Sequence, residues 1–296
     1  GMSSAQHLLD PGVVLHNFDR ASAGYDESAV LQARVRQQLI DRLAWIAFEP
    51  EVVVDLGCGT GHAARALGTR WPAARVIAVD FSPGMLREAA RHDDAGRIER
   101  LCADAHQLPL PDASVDLLFS NLMLPWCDDL DAVFAEIARV LQPRGLLTFT
   151  TLGPDTLIEL NEAWNDADDY AHVIPFADMH DIGDGLVRAG LAEPVLDVAR
   201  YTLTYPDVFA LMRDLKAIGA QNATTGRPRG LTGRQKLRTV EQAYERHRHE
   251  GRLPASYEVI FGQAWGAIER ADVEHDGEFA IPVSAIHRRE GGRGSP

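Results

Sequence analysis

The chain has 296 residues, 46% of them hydrophobic, and a formal net charge of −14. That length and apolar content suffice for one α/β domain with an inserted lid, while so acidic a balance argues against general nucleic-acid binding, which needs clustered positive potential. Three cysteines, Cys58, Cys102 and Cys127, are odd in number and fall at expected core or strand-end positions, as reduced thiols do, and no apolar run of about 18 residues or signal-peptide core is present. A soluble, cytoplasmic chain with no membrane partner is expected.

Gly1 before Met2 reads as a tag scar, and residues 1–15 carry too little pattern to predict structure, so they are expected to be flexible. Residues 16–48 are expected to form a helical cap, with Val35, Leu39, Ile40, Leu43 and Ile46 on one face of an amphipathic helix. Coming before the first strand, this segment is placed to fold over a ligand. Tyr25, at its start, either offers a hydroxyl to that ligand or packs.

The core is expected over 49–205. Val52-Val53-Val54 predicts a buried parallel strand, and Gly57, Gly59 and Gly61 predict a tight turn into a helix from His62. In a dinucleotide fingerprint the third glycine would fall one residue later, and a pyrophosphate would sit on the helix N-terminus. Here Asp55 stands two residues before the first glycine, where its carboxylate would repel a pyrophosphate and favour ammonium or sulfonium charge. S-adenosylmethionine (SAM) carries both; a plain packing turn is the alternative.

Arg75–Asp80 predicts the next strand, ending in an acid about 25 residues after Asp55, a spacing suited to ribose hydroxyls. Asp80 could instead cap the helix that starts at Ser82-Pro83. Ile98–Ala105 predicts a third strand with Asp104 near its end, Ser114–Asn121 a fourth, and Leu146–Thr150 a fifth, after a helix carrying Val133, Ile137 and Leu141. Thr151–Leu157 then turns along the mouth of the site, a helix opens near Phe176 and stops at Gly190, and Val195–Thr204 predicts a sixth strand. Alternation of this kind predicts a mostly parallel sheet that binds ligands outside the carboxyl ends of its strands, where Asp55, Asp80, Asp104 and Asn121 fall.

Residues 206–254 change character, with ten basic against five acidic side chains, and both lysines of the chain, Lys216 and Lys236, lie there. This stretch is expected to be a helical insertion that attracts an anionic substrate or acidic protein, or else a solvated face with paired arginines. Ser256–Trp265 predicts the last strand within 255–288, and 289–296 is expected to be a flexible tail.

In order, these five strand and turn segments resemble the motif series of class I SAM-dependent methyltransferases. The resemblance implies a Rossmann-like α/β fold with a seven-stranded, mostly parallel sheet, an N-terminal helical cap and a helical insertion before the last strand. It implies SAM contacts from Asp55, Gly57, Gly59, Gly61, Asp80, Phe81, Met85, Asp104, Ala105 and Asn121, with Asp104 and Ala105 meeting the adenine edge. Met85 would cover the adenine, or be ordinary core.

More particular stretches are Phe18–Gln32, Thr150–Leu157, His180–Asp184, Leu211–Ala220, Arg229–Arg234 and Tyr257–Gly262. They resemble the malonyl-acyl-carrier-protein O-methyltransferases of biotin synthesis (the BioC family) over about residues 16–288. That resemblance implies transfer of the SAM methyl to the free carboxylate of a malonyl thioester, with no metal. The carboxylate is already ionised at neutral pH, so orientation replaces a general base. Tyr25 and either Arg213 or Lys216 are the expected acceptor groups, and the other arginines of the insertion would meet the acidic carrier protein. A methyltransferase acting on another carboxylic acid is a rival. A similar Gly153–Leu157 turn occurs in a respiratory complex I assembly-factor family, but arginine hydroxylation would need a metal, and His247 and His249 stand two apart, off a common helical face.

Overall fold

A computed structural model describes residues 14–15, 27–167, 175–217 and 233–268. Eight strands form one sheet: β1 (Val14–Leu15), β2 (Val52–Leu56), β3 (Arg75–Asp80), β4 (Ile98–Cys102), β5 (Val115–Asn121), β6 (Leu141–Leu152), β7 (Ala192–Tyr205) and β8 (Leu253–Trp265). Their spatial order is β1-β7-β8-β6-β5-β2-β3-β4, and every neighbouring pair is parallel except those made by β8. This is the seven-stranded mixed sheet of the class I methyltransferase fold, with one addition. Val14 and Leu15, expected to be unstructured, pair with Thr202 and Leu203 and extend the edge.

Eight helices flank the sheet among the described residues: α1 (Glu27–Arg42), α2 (His62–Arg70), α3 (Pro83–His92), α4 (Leu130–Val140), α5 (Ile158–Asn165), α6 (Met179–Arg188), α7 (Val208–Ala217) and α8 (Arg234–Glu245). Strand alternation sorts the core into two layers. Val53, Leu117, Phe119 and Leu146 face α1, α2, α5, α7 and α8, whereas Val54, Leu118 and Leu147 face α4 and α6. Each such fully buried aliphatic side chain contributes about 1.5–3 kcal/mol by leaving water.

Local chemistry sets the helix starts. Ser82 caps α3 by accepting the Met85 N–H, with Pro83 at the first helical position, and Asp129 and Asp178 cap α4 and α6 in the same way. Two expectations are corrected. Leu141 ends no helix: α4 stops at Val140, and Leu141 pairs with Val115 as the first residue of β6. The third strand closes at Cys102, leaving Asp104 and Ala105 in the loop beyond it.

β7 and β8 are connected through α7 and α8, with residues 218–232 between them outside the described set. α5, which the sequence did not announce, packs against α8 and β8. Its buried Glu159 accepts hydrogen bonds from the Ser256 backbone and hydroxyl, joining the turn after β6 to the last strand. The same turn is held by Gly153 and Leu157, whose N–H groups donate to Glu258 and Ser256 carbonyls at 2.7 Å each.

Candidate active site

The strand order reverses between β2 and β5, and the carboxyl ends of β2, β3, β4 and β5 open there into a cleft of about 900 Å³. Its floor is the glycine turn. Gly57, Gly59 and Gly61 all have positive φ, which the turn demands and other residues rarely adopt. Gly57 lies against Met123, so close that a Cβ would fall 2.4 Å from Met123 Cγ. Gly59 is the opposite case: apart from its chain neighbours, no described residue lies within 4 Å of where its side chain would begin, so a ligand can meet bare backbone.

Acids stand around that floor. Asp55 is 2% exposed, and its Oδ2 has no hydrogen-bond partner among the described residues. Burial pushes its carboxyl up to about 7, against the Ala64 backbone N–H and the positive charge of Arg36, which favour the anion; the neighbouring Asp80 adds to the rise. A buried carboxylate oxygen without a donor is costly unless a ligand supplies one. Asp80, at the end of β3, accepts the N–H of Gly59 at 2.9 Å and that of Ser82 at 2.8 Å. The carboxylate has further lone pairs for hydroxyl donors. Ser82 is the helix cap, so Asp80 instead braces the turn.

Asp104 accepts from the backbone N–H of His106 at 2.9 Å and meets its Nδ1 at 2.6 Å, and both hold its carboxyl below the usual range. Phe81 and Met85 are 77% and 45% exposed, and with Trp126 they give the cleft an apolar rim. Apolar side chains left open beside polar groups mark a surface meant to be covered. Asn121 completes the far wall, its side chain fixed between the Gln32 carbonyl at 3.3 Å and the Thr150 hydroxyl at 2.6 Å. Burial raises the thiols that face the cleft, Cys58 strongly and Cys127 to about 11, so neither is a ready nucleophile at neutral pH.

The cleft brings together Asp55, Gly57, Gly59, Asp80, Phe81, Met85, Asp104, Ala105 and Asn121, and Gly61 caps the helix beneath it. Arg213 is not among its lining residues: it is exposed on α7. Tyr25 and the Lys216 side chain lie outside the described residues. Missing from the sequence reading were Gln32 and Arg36, which reach the cleft from α1, and His62 and His106. The i, i+4 spacing of the first pair puts Gln32 and Arg36 on one face of α1, but it does not say that this face meets the cleft. Among the described residues no group of three His, Cys, Asp or Glu side chains is placed to hold a metal ion.

Residues 54–149 match the model of the methyltransferase domain family. In solved structures, the YcgJ protein of Bacillus subtilis is similar in fold, with a TM-score of 0.55 at 17% identity, over 78% of this chain and 98% of that one. Sequence similarity is far higher to the malonyl-acyl-carrier-protein O-methyltransferase of Methylovorus sp., 50% identical over 271 residues, covering 89% of this chain and 92% of the relative. The enzyme of the same name from Laribacter hongkongensis is 51% identical over 265 residues, covering 86% and 89%. With this cleft at its centre and relatives of this closeness along nearly its whole length, the chain belongs to the malonyl-acyl-carrier-protein O-methyltransferase family.

Proposed function

We propose that the protein transfers the methyl group of SAM to the free carboxylate of a malonyl thioester on an acyl carrier protein, giving the methyl ester that primes biotin synthesis. The observation that carries this reading is the 50% identity to a relative named for that reaction, sustained over 89% of the chain. The cleft fits the cofactor on its own terms, because the unpartnered Asp55 oxygen lacks a donor and the turn at Gly59 is open.

SAM, when bound, supplies a methyl group on a positively charged sulfur. Asp55 would hold the ammonium, Asp80 the ribose hydroxyls, and Asp104 with the Ala105 backbone the adenine edge. Phe81 and Met85 would cover the ring and exclude water. The acceptor carboxylate is ionised at neutral pH, so the protein has only to desolvate and aim it. Tyr25 and a cation from α7, Arg213 or Lys216, are the groups proposed to meet the acceptor.

The segment around α7 and α8 would face the carrier protein. Arg234 and Arg238 are exposed on α8, giving an acidic partner charge to meet on a chain that is acidic elsewhere. No described helix is long and apolar enough to cross a membrane, and a cytoplasmic location is proposed with the carrier protein. An alternative role as an assembly factor has no support in the names of these relatives.

The test is transfer from SAM labelled in its methyl group to malonyl-acyl carrier protein. The expected product releases its label as methanol in mild base, as a methyl ester must. Label that resists base, or none at all, would overturn the carboxylate assignment.

A further inference from the structure

Arg36 is a half-buried residue of α1 that lines the same cleft as the glycine turn. A neighbouring arginine on α2, Arg65, is engaged, donating to the Thr60 carbonyl at 2.8 Å. Arg36 makes no hydrogen bond or ion pair with any described residue, although the charge of Asp55 acts on it. Burying an arginine without an acceptor is unfavourable, and so is burying Asp55 Oδ2 without a donor. The two stand in one cleft, of opposite sign, yet unjoined.

That arrangement is complementary to a zwitterion. We infer that Arg36 is the carboxylate receptor of the cleft, gripping the α-carboxylate of the amino-acid end of SAM while Asp55 takes the ammonium beside it. The inference rests on the SAM reading above and adds a residue to it. The planar fork of arginine suits a carboxylate in two parallel hydrogen bonds. The N-terminus of α2, which opens at His62 in the same wall, contributes further positive potential. Gln32, one turn earlier on α1, gives its backbone carbonyl to Asn121 and thereby fixes the helix over the cleft. Arg36 therefore makes α1 part of the cofactor site, so that cap and cofactor close on one another.

A second carboxylate also visits this protein, that of the malonyl group, and the experiment separates the two sources. Calorimetry would compare SAM with its decarboxylated analogue, which keeps the amine, sulfonium, ribose and adenine, on the wild-type protein and on Arg36→Met and Arg36→Lys. Wild-type binding of SAM tests the underlying reading by itself; its failure would remove that reading before Arg36 is considered. If Arg36 holds the α-carboxylate, Arg36→Met loses affinity for SAM on the order of ten- to a hundredfold. It binds the decarboxylated analogue as the wild type does, and Arg36→Lys falls between.

Equal losses for both ligands would show a merely structural role and overturn the inference. So would unchanged SAM affinity, including the case in which only the Michaelis constant for malonyl-acyl carrier protein rises, which would assign Arg36 to the acceptor.

Discussion

Gly59 donates its backbone N–H to the Asp80 carboxylate over 2.9 Å, so the acid at the end of β3 holds the bare apex of the glycine turn in place. Its other oxygen accepts from Ser82 at 2.8 Å, which ties the same carboxylate to the start of α3. With Asp80 also proposed to meet the ribose hydroxyls, cofactor recognition and the shape of the turn would be coupled through one side chain. Asp80→Asn keeps one acceptor oxygen and puts an amide nitrogen opposite a donor. It is expected to lower SAM affinity by roughly tenfold or more, with a melting temperature only slightly reduced. Full SAM affinity in Asp80→Asn would separate the acid from the cofactor.

Gly57 is a packing glycine as well as a turn glycine. Its φ of +77° is strained for any other residue, and a new Cβ would meet Met123 Cγ at 2.4 Å and Cβ at 2.6 Å. Gly57→Ala is expected to destabilise the fold by about 1–3 kcal/mol in chemical denaturation. Adding Met123→Ala should recover the overlap part of that loss but not the backbone part. No recovery in the double variant would mean that strain in the turn dominates.

Asp55 gives the site a pH dependence whose sign is fixed. Burial raises its carboxyl from 3.8 to about 7 in the folded chain, so between those values the folded protein keeps a proton that the unfolded chain releases. Stability from this group is therefore intact below the ordinary carboxylate range and declines as pH rises towards 7. A cationic ligand prefers the ionised form, so SAM affinity should climb over the upper part of that interval, with a proton released on binding. Asp55→Asn should bind weakly and flatten both profiles. A wild-type affinity independent of pH from 5.5 to 7.5, about two pKa-scale units that straddle the transition, would contradict the assignment.

The proposed carrier face can be tested apart from the cofactor. Reversing charge at Arg234, exposed on α8, together with Arg227 and Arg229, which lie outside the described residues, is expected to raise the Michaelis constant for malonyl-acyl carrier protein and leave SAM affinity unchanged. The effect should shrink at high salt, since rim charges act through screened attraction. An unchanged constant would place the carrier elsewhere.

What the sequence made legible follows from what each element needs. Asp55, Asp80 and Asn121 could be read because strands announce themselves by runs of apolar residues and the cleft opens at their ends. Arg36 could not. Arg34 and Arg36 flank the apolar stripe of α1 on either side, and only the angle at which Leu31, Val35 and Leu39 dock decides which of them looks into the cleft. Val14 and Leu15 are too short to show a period, and their strand exists because β7 offers an edge. Leu141 fits the apolar stripe of α4 as well as it fits a strand, and its partner Val115, far away in sequence, settles the matter.

The most direct measurement is the intact mass of the carrier protein after incubation with the purified enzyme and SAM. Malonyl-acyl carrier protein should gain the mass of one methylene, and acetyl-acyl carrier protein, which has no free carboxylate, should gain nothing. A gain on both, or none on the malonyl form while SAM binds, would contradict carboxyl methylation of the malonyl group.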